Sequence, residues 1–232
     1  MQLKSSILVQ PTGILSVGVT VTPDSRGYAG TTLFRFEVFW DPVSGSDCEA
    51  SINYGDGNPL EYSFPIYPPT SFSHRYNTVG TFTATINVTD LSTYAEGSVT
   101  ITIQTKEALT ITFTSNVTTG KIPLAVTFSC NATKGWLNYT WTLDPGDGST
   151  PYSGTRTAEG TWTQNHTYNK VGTFTATLTV TDALGAGVTT AIAVSTILEG
   201  IIAWWNARTT LEKIITATLA VSGTILAIKK LR

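Results

Sequence analysis

The chain has 232 residues, 13% of them charged, a formal net charge of −2 and two cysteines. With no lysine or arginine block inside its alternating segments, it lacks the electrostatic footprint of a nucleic-acid binder. Cys48 and Cys130 are too few for a disulfide framework and lack the close spacing of a zinc site. Threonine and serine make up about a quarter of the residues, well above ordinary usage. That composition suits wet strand faces and is similar to that of secreted and surface proteins.

Met1 to about Leu15 holds one short apolar run, Ile7-Leu8-Val9, broken by Gln10 and Pro11. It lacks the uninterrupted stretch and the small-residue cleavage site of a signal peptide. Residues 1–16 therefore read as a first strand, or as an arm adding to the sheet edge of a neighbouring subunit.

From Val17 to Thr105, apolar and polar residues alternate in several short runs. They include Leu33–Trp40, Ala50–Tyr54, Gly80–Asp90 and Ser98–Ile103. Period-two alternation predicts strands with one face on a core and the other in water. Gly55-Asp56-Gly57 predicts a tight turn, since glycine tolerates positive φ and the carboxylate accepts backbone N–H bonds.

The same marks return in order further along. Gly80-Thr-Phe-Thr-Ala-Thr-Ile-Asn-Val-Thr-Asp90 recurs as Gly172-Thr-Phe-Thr-Ala-Thr-Leu-Thr-Val-Thr-Asp182. His74 to His166, Gly80 to Gly172 and Asp90 to Asp182 are each 92 residues apart, and Asp56 to Asp147 is 91. One residue of slippage is an ordinary loop change. A duplicated all-β unit follows, each copy an antiparallel sandwich.

The order of a Trp/Tyr strand, Gly-Asp-Gly, His-x-Tyr and Gly-x-Phe-x-Ala-x-Leu-x-Val-x-Asp resembles the PKD (polycystic kidney disease) domain family. The resemblance implies immunoglobulin-like sandwiches over 17–105 and 106–196, and a spacer, adhesion or assembly role. The chain departs from the family pattern at Asn53-Tyr54, where a Trp-x-Phe strand is usual, and at the inserted Asp144-Pro145.

No nucleophile elbow, His-Glu-x-x-His helix or phosphate loop is present. His74 and His166 read as structural residues beside Tyr76 and Tyr168. Asp56, Asp90, Asp147 and Asp182 read as turn and strand-end caps rather than as calcium ligands. The expectation is a protein without catalytic residues, metal or cofactor. Asn87, Asn116, Asn131, Asn138 and Asn165 each open an Asn-x-Ser/Thr sequon and are candidate glycan acceptors. Cys48 and Cys130 read either as buried thiols or as an intermolecular disulfide between stacked subunits.

Residues 197–232 break the pattern. Thr209-Thr210-Leu211-Glu212 fits a capping box, and Ile214 to Ile228 carries no charge. Trp204 and Trp205 on one side, and Lys229 and Lys230 on the other, resemble an interfacial anchor and a positive-inside flank. The segment, with Ile214 and Leu219 on its apolar stretch, predicts a membrane-anchoring helix or one packed on protein. Small residues such as Gly223 and Ala227 would allow two such helices to approach.

The expected function is a non-enzymatic structural or adhesive surface protein held to a lipid membrane, most readily on a virion surface. The alternatives are a subunit of a cellular surface filament or layer, and a carbohydrate-binding module using Trp136, Trp141 or Trp162. Expected partners are the membrane, other structural subunits, and a host receptor or glycan.

Overall fold

The computed structural model describes residues 5–6, 15–41 and 47–198. Every regular element among them is a strand, and the alternation visible in the sequence is what folds them. In Gly80–Asp90, Ala84, Ile86 and Val88 are fully buried while Thr81, Thr83 and Asn87 are exposed. Full burial of a side chain the size of Ile86 or Val88 contributes about 1.5–3 kcal/mol.

The first half comprises β1 (Ser5–Ser6), β2 (Val17–Thr22), β3 (Arg26–Tyr28), β4 (Phe34–Trp40), β5 (Cys48–Asn53), β6 (Glu61–Ile66), β7 (Thr70–His74), β8 (Gly80–Asp90) and β9 (Glu96–Lys106). They form two sheets, ordered β1-β2-β4-β7 and β3-β9-β8-β5-β6. Phe34, Phe36, Val38, Ile52, Ile86 and Ile103 fill the space between the sheets. Ser5–Ser6 pairs with Val19 and Gly18 of its own sandwich.

The second half comprises β10 (Thr110–Ser115), β11 (Thr119–Lys121), β12 (Leu124–Thr133), β13 (Tyr139–Asp144), β14 (Tyr152–Arg156), β15 (Gly160–Tyr168), β16 (Gly172–Thr181) and β17 (Gly187–Ile197). Its sheets are ordered β10-β12-β15 and β11-β17-β16-β13-β14. Phe128, Leu143, Leu178 and Val194 belong to a separate core. In each half a short strand runs parallel to the last one, β3 beside β9 and β11 beside β17, and the other pairings are antiparallel.

The end of the second half differs from the sequence expectation. Alternation fades after Ser195, yet β17 continues to Ile197, which pairs with Lys121 while Thr196 is buried. The pairing supplies what the side-chain pattern does not. Among the described residues no helix is long and apolar enough to cross a membrane. The expected C-terminal helix, with Trp204, Trp205, Ile214, Leu219, Gly223, Ala227, Lys229 and Lys230, lies outside the described residues.

Candidate functional site

Three devices are repeated in the two halves, and each closes a sandwich. The first is a histidine–aspartate pair. His74 Nε2 lies 2.6 Å from Asp56 Oδ2, and His166 Nε2 lies 3.0 Å from Asp147 Oδ2. Each histidine sits on β7 or β15 in one sheet, while each aspartate sits in the turn that leaves β5 or β13 in the other. The pair therefore staples the two sheets at one end.

The aspartates are held ionised. Burial opposes charge on Asp147, but hydrogen bonds from the Ser149 hydroxyl and N–H and from His166 outweigh it and bring its pKa down to about 2. Asp56 is likewise lowered against burial, by His74 and Asn58. The turn itself requires glycine: Gly55 and Gly146 have φ of +76° and +80°, and a Cβ there would lie 2.4 and 2.3 Å from the carbonyl oxygens of Thr83 and Thr175.

The second device is a buried tyrosine. Tyr76 donates to the carbonyl of Tyr54 at 3.0 Å, and Tyr168 to that of Pro145 at 2.9 Å. Both are fully buried, against Phe82 and Phe174 respectively. Burial pushes the Tyr168 phenol up to about 12. The tyrosine takes only a backbone carbonyl from Tyr54 and from Pro145, so this contact itself does not depend on the side chain at either departure. The third device is a threonine clip. Thr105 Oγ1 accepts from Gly80 N–H and donates to Thr78 O, and Thr196 does the same between Gly172 and Lys170.

The histidines leave no poised base. His166 Nδ1 faces the Tyr152 hydroxyl at 3.1 Å, and His74 is stacked on Tyr54 with ring centroids 3.9 Å apart. Among the described residues, the side chains hydrogen-bonded to these rings are Asp56 for His74, and Asp147 and Tyr152 for His166. Asp56, Asp90, Asp147 and Asp182 all cap local N–H groups. Among the described residues no group of three His, Cys, Asp or Glu side chains is placed to hold a metal ion.

What is not repeated is the joint between the halves. β9 ends at Lys106 and β10 begins at Thr110, so residues 107–109 are all that separates them. Leu109 is buried in the second core. Asp182, only 5% exposed, accepts from Trp136 N–H at 2.9 Å, Leu184 N–H at 2.9 Å and Ala186 N–H at 3.2 Å. It also accepts a hydrogen bond from the Tyr28 hydroxyl of the first sandwich. Burial together with that carboxylate drives the Tyr28 phenol well above its ordinary pKa.

Trp136 completes the joint. Its indole N–H donates to Gly27 O at 3.3 Å, and Lys106 and Arg26 lie 4.9 and 5.4 Å from its ring centroid. Cation–π contacts contribute about 0.5–2 kcal/mol each, more as they are desolvated. Gly135 makes the approach possible, because at φ +63° a Cβ would sit 2.7 Å from Asp182 Oδ2. A cleft of ≈ 360 Å³ beside it is lined from both sides, by Pro23, Asp24, Arg26 and Tyr28 and by Ala183 and Leu184.

The remaining expected residues are scattered. Asn87, Asn116, Asn138 and Asn165 are exposed and Asn131 is half-buried. Cys48 and Cys130 are both fully buried, each in its own core, and no disulfide joins them. A bond between subunits would require a core strand to open first. Burial raises both thiols, Cys130 to about 11. Of the three tryptophans named as a sugar platform, Trp136 is 8% exposed and committed to the joint. Trp141 and Trp162 are half-buried, packed against the second core and against each other with centroids 5.6 Å apart.

The joint was missed in the sequence. Tyr28 and Trp136 carry no repeat signal, because neither has an aromatic counterpart in the other half. By register the counterpart of Tyr28 is Lys121.

No curated protein matches the chain. Among solved structures, the PKD domain of an M14-like peptidase from Thermoplasmatales archaeon SCGC AB-540-F20 is 21% identical, with a TM-score of 0.31, over 40% of this chain and 92% of that one. Fibronectin(III)-like modules of Clostridium thermocellum CbhA are 12% identical, with a TM-score of 0.42, over 78% of this chain and 93% of that one. Three N-terminal domains of the bacteriophage RB49 highly immunogenic outer capsid protein are 12% identical, with a TM-score of 0.43, over 79% of this chain and 70% of that one. The stretch that builds the second sandwich, residues 104–197, matches the PKD domain family.

Proposed function

We propose that this protein is a non-enzymatic structural or adhesive module displayed on a surface, two sandwiches held as one stiff unit. The observation that carries the reading is the joint, in which a buried carboxylate, a buried tryptophan and a linker of residues 107–109 leave little freedom between the halves. Stiffness is what a spacer needs, and the histidines are spent on closing the sandwiches rather than on chemistry.

The fuller form of the proposal assigns the segment that follows Leu198, residues 199–232, to a membrane-anchoring helix and the protein to a virion surface. Double electron–electron resonance between labels at Thr102→Cys and Ala193→Cys tests the stiff unit. A narrow distance distribution is expected, and a broad one sinks the spacer reading. Liposome flotation of the full chain beside a chain ending at Leu198 tests the anchor. Only the full chain should float; if neither does, membrane attachment is removed.

A further inference from the structure

The outer face of the first sandwich carries an aromatic pair that the fold does not require. Tyr62 and Phe64 flank Ser63 on β6, and their ring contact puts them on the same side of the sheet. They are 50% and 57% exposed. Their rings are nearly parallel, 13° apart, with centroids separated by 5.8 Å. Register gives the comparison. Tyr62 pairs with Ser51 as Ser153 pairs with Thr142, so the second sandwich holds Ser153 where the first holds Tyr62; two residues on, the second has Thr155 in regular register where the first has Phe64 in a register shift opposite Glu49. The same edge strand thus folds with small polar residues, and large aromatics exposed together point to something that covers them.

The surroundings of the pair select the occupant. Directly opposite residues in an antiparallel sheet share a face, so Tyr62 continues into a row formed by Ser51, Asn87 and Ser98. The adjacent row on that face holds Glu49, Thr89 and Glu96. Hydroxyls, an amide and carboxylates therefore border the rings, with no aliphatic or cationic side chain in either row. A lipid surface would call for cations and apolar neighbours, and a protein core for aliphatic ones. Strand addition by a second copy is disfavoured because β6 is an edge strand containing Pro65, which has no N–H to donate. A pyranose matches both halves of the surface. Its C–H face stacks on an aromatic ring, and its hydroxyl edge bonds with polar side chains.

We propose that this sheet face binds an extended, β-1,4-linked oligosaccharide, with Tyr62 and Phe64 as the stacking platform and Ser51 and Asn87 as hydrogen-bonding neighbours. The proposal deepens the adhesive reading above by giving it a ligand class. It differs from the tryptophan platform expected from the sequence, which lies in the other sandwich.

The test uses the full chain, made in a host that adds no N-glycans, with calorimetric titration of β-1,4-linked hexaoses of glucose, N-acetylglucosamine, xylose and mannose. At least one should bind. The double substitution Tyr62→Ser/Phe64→Thr, which copies the second sandwich, should weaken that binding at least tenfold. Its melting midpoint should stay within about 3 °C of the parent, as expected for changes confined to the surface. No binding to any of the four, or binding that the substitution leaves unchanged, overturns the proposal. Either result leaves the spacer reading intact, since that stands on the distance measurement.

Discussion

The two sandwiches share the contacts that close them and differ in the residues that meet something else. The histidine–aspartate staple, the buried tyrosine and the threonine clip recur with the same partners by register. By contrast, Asp90 caps Ser92 and Thr93 within its own loop, whereas Asp182, at the equivalent position, also accepts from Tyr28 of the other half. The cores differ in a compensating way. Register places Trp40 and Ala132 at one equivalent position, and Cys48 and Tyr139 at another. One copy thus uses a large residue and a small one, and the other a small residue and a large one. Interiors pack to near-crystalline density, so total volume is held while its division is free to drift.

The largest expected effect breaks that exchange. Trp40→Ala should destabilise the first sandwich by about 3–5 kcal/mol, and Cys48→Tyr alone by about 1–3 kcal/mol through overpacking. The double substitution, which imports the solution of the second copy, should cost clearly less than their sum in denaturant titration. Additivity would show that the two sites do not share a space.

Next is the joint. Asp182→Ala should cost about 2–4 kcal/mol, because it leaves several buried donors unsatisfied. It should also broaden the distance distribution between the halves, while Asp90→Ala should lower stability without doing so.

Acid should act through the staples. Asp147 and Asp56 have folded-state pKa values below the ordinary 3.8. Their contribution is fully present above that value and is lost as pH falls from about 4 towards about 2. Asp147→Asn should flatten the dependence in that window and cost about 1–3 kcal/mol at neutral pH, as read from melting midpoints. The smallest effect belongs to Lys134→Ala. Its 2.7 Å pair with Glu107 is about half exposed on both sides and should be worth at most about 0.5 kcal/mol.

Much of the scaffold is legible in the sequence because each strand repeats its own evidence. Phe34, Phe36 and Val38 alternate with Arg35 and Glu37, and that alternation alone predicts a half-buried strand. His74 and His166 are legible as structural residues because both copies keep them next to Tyr76 and Tyr168. The joint is illegible for the opposite reason. Asp182 carries the same letters around it as Asp90, and nothing local distinguishes a carboxylate that caps its own loop from one that also grips a neighbour. Trp136 reads as a surface aromatic until the first sandwich is placed beneath it. The Tyr62–Phe64 pair is hidden similarly, since alternation predicts the exposed face of β6 but not the parallel arrangement of its rings.

The parallel strands add a consequence in mechanical terms. In each sandwich the final strand lies alongside a short strand near the start of the unit, β9 with β3 and β17 with β11, running in the same direction. Pulling such a unit by its two ends draws the paired strands lengthwise in opposite senses. Their evenly spaced hydrogen bonds are then loaded together in shear instead of being peeled one at a time. A chain tethered at one end and gripped at the other would resist extension first at Thr119–Lys121 and Arg26–Tyr28, the shortest strands that the repeat keeps in both copies.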